Sequence, residues 1–257
     1  RIGDGGYAVV FRCREKASGR LRACKRCDKA KMPEWAEAGD EAALLAMLQA
    51  GGPEPQRIVR LFEVFEDPDF VHLVLELCVG GELLSRQKAL ERFKEGDAKF
   101  LFRQMAGAVR HVHAHRVVHR DLKHENWLFV AHEPKLDLRL CDFGLSAVLG
   151  PEGRLSERVG SPHYAAPEVS EGSYDLRVDL WSLGVVLYFM LSGSLPFNGV
   201  RTRNILAAVA KGAVCFEHPA WAAVSGDARR LIEQLLCKDP SKRPAAEIML
   251  RRGWLAV

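Results

Sequence analysis

No stretch of this 257-residue sequence is apolar for long enough to cross a lipid bilayer. The longest strongly apolar run, residues 180–191, falls well short of the roughly 20 residues that a membrane-spanning helix needs. The start at Arg1 also lacks the charged and then apolar leader of a signal peptide, and a start without Met predicts a fragment of a longer protein. We therefore expect an intracellular, cytoplasmic protein with no membrane span.

Neither sign of charge predominates. The 37 Lys and Arg against 33 Asp and Glu give a net charge of +4, which is too balanced for a chain that mainly coats nucleic acid, so we expect no nucleic-acid partner. A composition of 48% hydrophobic and 27% charged residues excludes disorder and a collagen-like repeat. The length suits one large domain or two coupled lobes.

Candidate metal ligands are few. The seven cysteines are an odd number at irregular spacing, which fits a reducing compartment and excludes a disulfide scaffold. Cys24 and Cys27 form a C-x-x-C, but residues three apart on a strand face opposite sides of a sheet, and no second pair exists. His111 and His115 share a helical face with His113 between them, but no third ligand is adjacent. We expect no metal at either place.

The hydrophobic pattern changes along the chain. In the first part it predicts short strands and one helix, followed after residue 80 mainly by helices with an apolar stripe. The predicted strands are residues 1–14, 20–27, 59–66 and 71–77. The predicted helices are residues 34–49, 98–113, 179–192, 201–211 and 227–238. Residues 51–55 are predicted to form a loop that separates the first helix from the strands that follow. Residues 117–168 are predicted to be mostly irregular. A compact domain rarely keeps so long an irregular segment unless the segment has a function.

A glycine-rich segment opens the chain, where residues 3–10 read Gly-Asp-Gly-Gly-Tyr-Ala-Val-Val. Closely spaced glycines let a backbone approach phosphate oxygens, although a glycine-rich hairpin turn is the commoner explanation of such a segment. A dinucleotide fingerprint needs a helix to follow, whereas a strand follows here. The pattern favours a flap over nucleotide phosphates.

Lys25 is the first candidate for a phosphate contact. It shares a strand face with Ala23, a small residue that leaves room for a flat base. A strand lysine is usually a solvated surface group unless a carboxylate pairs with it. Glu41 on the following helix is the expected partner, and Glu37 one turn earlier is the alternative.

The most specific motifs lie in the irregular stretch. Residues 119–126 match H-R-D-x-x-x-x-N, residues 142–144 supply D-F-G, and residues 166–168 read A-P-E. With the glycine-rich flap these are four ordered matches, which leave little room for chance. The chain resembles a eukaryotic protein kinase catalytic domain over nearly its whole length. It is most similar to the calcium/calmodulin-regulated group, including calcium-dependent protein kinases, on residues 62–67, 80–83, 142–146 and 196–199.

The resemblance implies an α+β bilobal fold with a β-rich N-lobe over residues 1–77, a hinge over 76–81 and a helical C-lobe over 81–257. It also implies ATP and Mg²⁺ as cofactors and protein substrates with Ser or Thr acceptors. The implied catalytic residues are Asp121, as acceptor of the substrate hydroxyl proton, Lys123, as neutraliser of the transferring phosphoryl group, and Lys25, as the α- and β-phosphate contact. Asn126 and Asp142 are implied as Mg²⁺ ligands, which suits a hard cation.

The resemblance also implies the nucleotide pocket and its supports. Adenine lies between Val10 and Ala23 on one side and Leu128 on the other, with Leu75 as gatekeeper. The implied nucleotide-binding residues are Ile2, Gly3, Gly5, Ala8, Val10, Ala23, Lys25, Glu76, Cys78, Glu82, Leu128 and Asp142, and the supporting residues are Glu41, Arg120, Ser161 and Asp179. Glu168 and Arg243 are implied as a buried ion pair of the helical lobe.

Substrate preference is implied by two details. Lys123 is typical of serine/threonine kinases. Glu82 and Glu125 match acidic positions that, in related kinases, select a basic substrate residue three positions before the Ser or Thr that accepts the phosphate. Glu82 has a second interpretation as a ribose contact. Together they predict a basophilic enzyme.

Three positions depart from the family pattern. Ala8 replaces the third flap glycine and adds one methyl group near the phosphates, from which we expect little loss of phosphate binding. His124 replaces the usual proline after Lys123, which removes one backbone restraint. Ser161 replaces a threonine and keeps the hydroxyl that bridges Asp121 and Lys123.

Regulation is less defined by the sequence. Arg120 is a candidate receiver of a phosphate on Ser156, and an exposed, unmodified Ser156 is an equal alternative. No EF-hand calcium loop occurs, so a calcium sensor, calmodulin or an EF-hand region, lies outside this sequence if the resemblance extends to it. Two other functions remain open. A pseudokinase scaffold is disfavoured by the complete motif set. A small-molecule kinase is disfavoured because the resemblance implies that residues 160–168 dock a substrate peptide.

Overall fold

A five-stranded antiparallel sheet forms the first part of the protein. The computed structural model describes residues 1–32, 40–50, 57–132, 134 and 136–256. The strands of the sheet are β1 Gly3–Asp4, β2 Ala8–Arg14, β3 Leu21–Asp28, β4 Leu61–Glu66 and β5 Phe70–Leu75, in the order β1-β2-β3-β5-β4. The predicted strand 1–14 is divided into β1 and β2 by residues 5–7, while the other predicted strands are present with ends displaced by at most two residues.

Strand β3 shows why the sheet places functional groups on one face. Its burial alternates, so Ala23, Lys25 and Cys27 are buried while Cys24 lies on the opposite face. A period of two residues produces this alternation in any strand with one covered face. The prediction that Cys24 and Cys27 point to opposite sides is confirmed.

Helix α1, Asp40–Gln49, packs against the sheet with Leu44, Leu45 and Leu48 buried. The described helix covers the second half of the predicted helix 34–49. The first half of that prediction, the alternative partner Glu37 and the predicted loop 51–55 lie outside the described residues.

Helices form most of the second part. Within the described residues they are α2 Leu83–Leu90, α3 Glu95–Ala114, α4 Pro167–Glu171, α5 Arg177–Ser192, α6 Thr202–Lys211, α7 Gly226–Leu235 and α8 Ala246–Arg251. The four predicted helices correspond to α3, α5, α6 and α7. Helix α5 is buried along almost its whole length and forms the centre of this part, which explains its uninterrupted apolar run.

Residues 117–168 are largely irregular, as predicted, apart from α4 and two small strand pairs. Strand β6, Val117–Val118, pairs with β9, Ala147–Val148, and β7, Trp127–Phe129, pairs with β8, Leu138–Leu140. The segment before β4 contacts β8, because the N–H of Val59 donates to the C=O of Leu140 at 2.9 Å. This contact explains why β4 begins later than the predicted 59–66.

The predicted α+β bilobal class is confirmed by the sheet and the helical part. The exact lobe limits remain a prediction. Among the described residues, no helix combines the length and the apolar character that spanning a membrane requires.

Candidate active site

Lys25 lies at the centre of a buried charge cluster. Its Nζ atom is 2.8 and 2.6 Å from the two carboxylate oxygens of Glu41 and 2.6 Å from Oδ1 of Asp142. Oε1 of Glu41 also accepts a hydrogen bond from the N–H of Phe143 at 3.2 Å. The predicted pair of Lys25 with Glu41 is therefore present, and it joins β3, α1 and the D-F-G segment.

Burial and charge act in opposite directions on this cluster. Burial opposes the charge on Lys25, but the carboxylates of Glu41 and Asp142 raise its pKa well above the usual value. Burial likewise opposes ionisation of Asp142, but the Lys25 charge and hydrogen bond lower the pKa of that carboxyl. Lys25 is thus a cation and Asp142 an anion at neutral pH. The Asp142 side chain keeps 46% of its surface exposed and can reach a ligand.

Residues 119–126, named here the catalytic loop, present Asp121 to the cleft with four donors on its carboxylate, the most distant being Nδ2 of Asn126, 3.4 Å from Oδ2. Oδ1 accepts from the N–H and the hydroxyl of Ser161 at 3.0 and 2.7 Å, and Oδ2 accepts from Nζ of Lys123 at 2.5 Å. Burial opposes the charge on Lys123, but its hydrogen bond to Asp121 raises the pKa of the amine. The Ser161 hydroxyl also lies 3.3 Å from Lys123. The predicted bridge by Ser161 between Asp121 and Lys123 is present.

Asn126 ties the end of the loop to its start. Its Nδ2 donates to the C=O of Asp121 at 2.8 Å, while its own C=O accepts from the N–H of Cys141, the residue before Asp142, at 2.9 Å. Among the described residues, the side-chain amide oxygen of Asn126 makes no hydrogen bond. These bonds bring Asp121, Asn126 and Asp142 to one place in the cleft.

Asp179 of α5 braces the loop from below. Its carboxylate accepts the N–H groups of His119 at 2.9 Å and Arg120 at 3.0 Å, and Arg120 has a positive φ of 68° that a non-glycine residue rarely adopts. Burial opposes its charge, but its bond with His113 lowers the pKa of Asp179. His113 Nε2 lies 2.9 Å from that carboxylate. His113 was not predicted to belong to this site, because only the fold brings the end of α3 onto α5.

The pocket expected to hold adenine lies between the sheet and the hinge. Ala23 is buried, Val10 packs against the core and is directly paired with Lys25, and Leu128 is half-buried below them. Leu75, the expected gatekeeper, is also buried. These four apolar side chains are the ones predicted to surround adenine.

The hinge has two backbone groups that are available to the predicted adenine site. Among the described residues, neither the C=O of Glu76 nor the N–H of Cys78 makes a backbone hydrogen bond, whereas the neighbouring N–H groups of Val79 and Gly80 donate to Val130 and Phe129. Burial raises the pKa of the Cys78 thiol to about 12, so the thiol is neutral. A purine edge would satisfy the free acceptor and donor together.

The glycine-rich flap is a tight turn between β1 and β2. The N–H of Ile2 donates to the C=O of Val10, and the N–H of Gly5 to the C=O of Ala8, each at 2.8 Å. Gly3 pairs with Val10 across the two strands. The flap is therefore a hairpin of two short strands, and a strand rather than a helix follows it, as predicted.

The side chain of Tyr7 in the flap contacts the D-F-G segment, a contact that the sequence did not indicate. Its hydroxyl lies so close to Gly144 that a Cβ at that position would collide with it. Burial raises the pKa of Tyr7 to about 12, so the phenol is neutral. The contact places an aromatic ring between the flap and the D-F-G segment.

Arg120 contacts the activation segment through Glu157. Nη1 of Arg120 lies 3.1 Å from Oε2 of Glu157, the residue after Ser156. The Glu157 carboxylate therefore contacts the arginine that was predicted to bind a phosphate on Ser156. The phosphorylation of Ser156 stays a prediction.

The two acidic residues expected to select substrate differ in their surroundings. Glu82 is exposed before α2 and faces Leu128 across an isolated bridge. Glu125 is half-buried, and its Oε2 is buried without a hydrogen-bond partner among the described residues. An unpartnered buried carboxylate oxygen is costly unless a ligand satisfies it.

The other histidines contact protein groups. His111 Nε2 lies 2.7 Å from the C=O of Leu48, and His115 Nδ1 lies 3.0 Å from the C=O of His111. In the part of the chain that the structure describes, no group of three or more His, Cys, Asp or Glu side chains is placed to hold a metal ion.

Gly160 allows Ser161 to reach Asp121. It has a φ of 99°, and a Cβ there would collide with the C=O of Arg120. We expect Gly160→Ala to lower the free energy of unfolding by about 1–3 kcal/mol. Gly107→Ala in α3 is the matched control, because nothing lies within 4 Å of its Cβ position and alanine favours a helix. Urea unfolding measures both, and equal stability of the two variants would refute this role of Gly160.

Comparisons with known proteins agree with this geometry. A family model described as the protein kinase domain matches residues 1–255. Calcium-dependent protein kinase 9 of Oryza sativa subsp. japonica is 39% identical over 99% of this chain and 44% of its own length. Calcium-dependent protein kinase 13 of Arabidopsis thaliana is 37% identical over 99% of this chain and 48% of its own length.

The chain therefore belongs to the protein kinase domain family. It is similar to proteins named calcium-dependent protein kinases, and it spans about half the length of those relatives.

Proposed function

We propose that the protein is an ATP- and Mg²⁺-dependent serine/threonine protein kinase. The observation that carries this proposal is the convergence of Asp121, Lys123, Asn126 and the Lys25–Asp142 pair at one cleft. Phosphoryl transfer needs little covalent help from a protein and depends on positioning and charge neutralisation. These residues supply both.

Asp121 is the acceptor for the substrate hydroxyl. A carboxylate offers about four acceptor sites, which here face Ser161, Lys123 and, at 3.4 Å, Nδ2 of Asn126, so the substrate hydroxyl would take the place of the long Asn126 contact. As the oxygen–phosphorus bond to the substrate forms and the bond to the leaving diphosphate breaks, the hydroxyl proton passes to Asp121. Lys123 is placed to neutralise charge on the moving group, and Lys25 to bind the remaining phosphates.

The available oxygen ligands fit Mg²⁺. Asp142 offers a partly exposed carboxylate and Asn126 an amide oxygen. Mg²⁺ is commonly bound by one or two protein oxygens together with substrate phosphates and water. When bound, the ion would neutralise phosphate charge and orient the terminal phosphoryl group.

The test is transfer of labelled γ-phosphate to a peptide with Arg three residues before a single Ser, compared with the same peptide carrying Ala in place of Ser. The proposal expects label on the Ser peptide alone, dependent on Mg²⁺. Nucleotide binding without transfer, in a chain extended to the length of the relatives, would favour the alternative of a pseudokinase scaffold.

We further propose that the enzyme prefers basic substrates, because Oε2 of Glu125 is buried and has no hydrogen-bond partner among the residues that the structure describes. Glu125→Gln removes the charge that a substrate arginine would meet. We expect kcat/KM for the Arg peptide to fall about 10- to 100-fold, with a much smaller change for a peptide carrying Ala in place of that Arg. Glu233→Gln on α7 is the control. Equal losses on both peptides would refute the selection of Arg by Glu125.

Two finer proposals follow from the relatives and the thiols. The relatives are named calcium-dependent and are about twice as long as this chain, so we propose that a calcium sensor lies outside the sequence described. All seven cysteines are free, which supports an intracellular location in a reducing compartment.

A further inference from the structure

His124 is a polar residue at a fully buried position of the catalytic loop. It lies in the single helical turn His124–Asn126, directly after Lys123, and its exposed fraction is 0%. Proline is usual here in the family that the chain resembles. A proline would restrain the backbone but would offer no side-chain hydrogen bond.

The histidine ring connects two segments that meet the substrate. Its Nδ1 atom lies 3.1 Å from the hydroxyl of Tyr164, and the ring packs edge-on against Phe189 of α5 with centroids 4.5 Å apart. Tyr164 belongs to residues 160–168, the segment expected to dock the substrate peptide. The C=O of Tyr164 is in turn held by the hydroxyl of Ser182 at 2.8 Å.

The catalytic loop is thus joined to residues 160–168 at two points. Ser161 contacts Asp121 and Lys123 at one point, and Tyr164 contacts His124 at the other. Two attachments fix the orientation of the segment as well as its distance. Glu125, with its unpartnered carboxylate oxygen, follows the second attachment directly.

Stability alone does not explain this histidine. Its Nε2 atom is buried without a hydrogen-bond partner among the described residues, which opposes folding, and an apolar side chain would avoid that cost. Burial lowers the pKa of His124 to about 3, so the ring is neutral and contributes no charge at neutral pH. The ring provides the hydrogen bond to Tyr164, beside a contact with the backbone of Val186.

We propose that His124 is a positioning residue, which through Tyr164 holds the peptide-docking segment in register with the catalytic loop. The inference rests on the proposed kinase function and concerns peptide binding at that same site. It differs from the shared kinase mechanism because it depends on a residue that replaces the usual proline.

A double-mutant cycle tests this coupling. The variants are His124→Leu, Tyr164→Phe and the double variant, and the probe is a fluorescent Arg/Ser peptide titrated in the presence of Mg²⁺ and a non-hydrolysable ATP analogue. We expect each single variant to weaken peptide binding about 5- to 10-fold, and the double variant to be no weaker than the worse single one. KM for the peptide should rise in parallel, with KM for ATP unchanged within about twofold.

Two further variants separate positioning from general structure. His124→Asn can place an amide near the position of Nδ1, so we expect it to restore peptide binding to within about twofold of wild type, whereas His124→Pro should resemble His124→Leu. The melting temperature of His124→Leu should equal or exceed that of wild type. If His124→Leu does not fold, Tyr164→Phe and His124→Asn still measure the hydrogen bond.

The outcomes distinguish this inference from the proposed function. Independent, multiplicative losses in the double variant, or unchanged peptide binding in both single variants, would overturn the positioning role even in an active kinase. A wild-type protein that binds the peptide with this coupling but transfers no phosphate would retain the role of His124 and refute the kinase proposal. A wild-type protein that does not bind the peptide would overturn both.

Discussion

Asp121→Asn is expected to lower kcat for peptide phosphorylation by about 10²- to 10⁴-fold, the range contributed by a positioned general base. The amide keeps the shape of the side chain and one oxygen acceptor, but it loses the charge that attracts the substrate proton. Ser161, Lys123 and, at 3.4 Å, Asn126 already donate to this carboxylate. The substitution therefore removes the negative charge that would take the substrate proton.

The fold should survive this change. We expect the melting temperature and the affinity for ATP to stay close to wild type, because Asp179 rather than Asp121 braces the loop backbone. Asp227→Asn, at an exposed position of α7, is the matched control and should keep full activity. Retention of more than a tenth of wild-type kcat by Asp121→Asn would contradict its assignment as the acceptor.

Arg243→Leu is expected to lower the free energy of unfolding by about 3–5 kcal/mol, because it leaves the Glu168 carboxylate buried without its partner. The two side chains form a pair with N–O distances of 2.5 and 2.9 Å, and the Arg243 side chain is 0% exposed. Arg243 also donates to the C=O of Cys237 at 2.9 Å. The substitution thus removes several bonds that join α4 to the end of the helical part.

The double variant Glu168→Leu with Arg243→Leu should be more stable than the sum of the single losses predicts, since no buried charge is then left alone. Arg251→Leu is the matched control. Its partner Glu247 lies on the same exposed helix face, and loss of that pair should cost less than about 1 kcal/mol. Urea unfolding of all variants measures these differences, and a similar small loss for Arg243→Leu and Arg251→Leu would contradict the buried-pair account.

Much of this arrangement could be predicted because motif spacing carries it. The alternation of β3 put Ala23 and Lys25 on one face, and a carboxylate on the next helix was the natural partner for a buried amine. The H-R-D and D-F-G motifs, matched to a known family, indicated which polar groups gather at the cleft. These predictions depend on short-range periodicity or on a pattern of residue types, which the sequence displays directly.

Contacts between distant segments could not be predicted in the same way. His113 and Asp179 are 66 residues apart, and their bond depends on how α3 crosses α5. Tyr7 meets Gly144, and Glu157 meets Arg120, only after the flap and the activation segment are placed. None of these pairs has a spacing that local periodicity can reveal.

The short helices were missed for a different reason. Helix α2 buries only Leu83 and Gln87, so its apolar stripe is too weak to stand out in the sequence. Helices α4 and α8 are five and six residues long, less than two full turns. Packing against neighbours, rather than their own pattern, stabilises such elements.

A crystal structure of the protein with Mg²⁺ and a non-hydrolysable ATP analogue tests the central claim most directly. The account predicts the purine between Val10, Ala23 and Leu128, its edge bonded to the backbone of Glu76 and Cys78. It also predicts the divalent ions on Asn126 and Asp142, with the terminal phosphate beside Asp121 and Lys123. A nucleotide bound elsewhere, or metal ions held without Asp142, would contradict it.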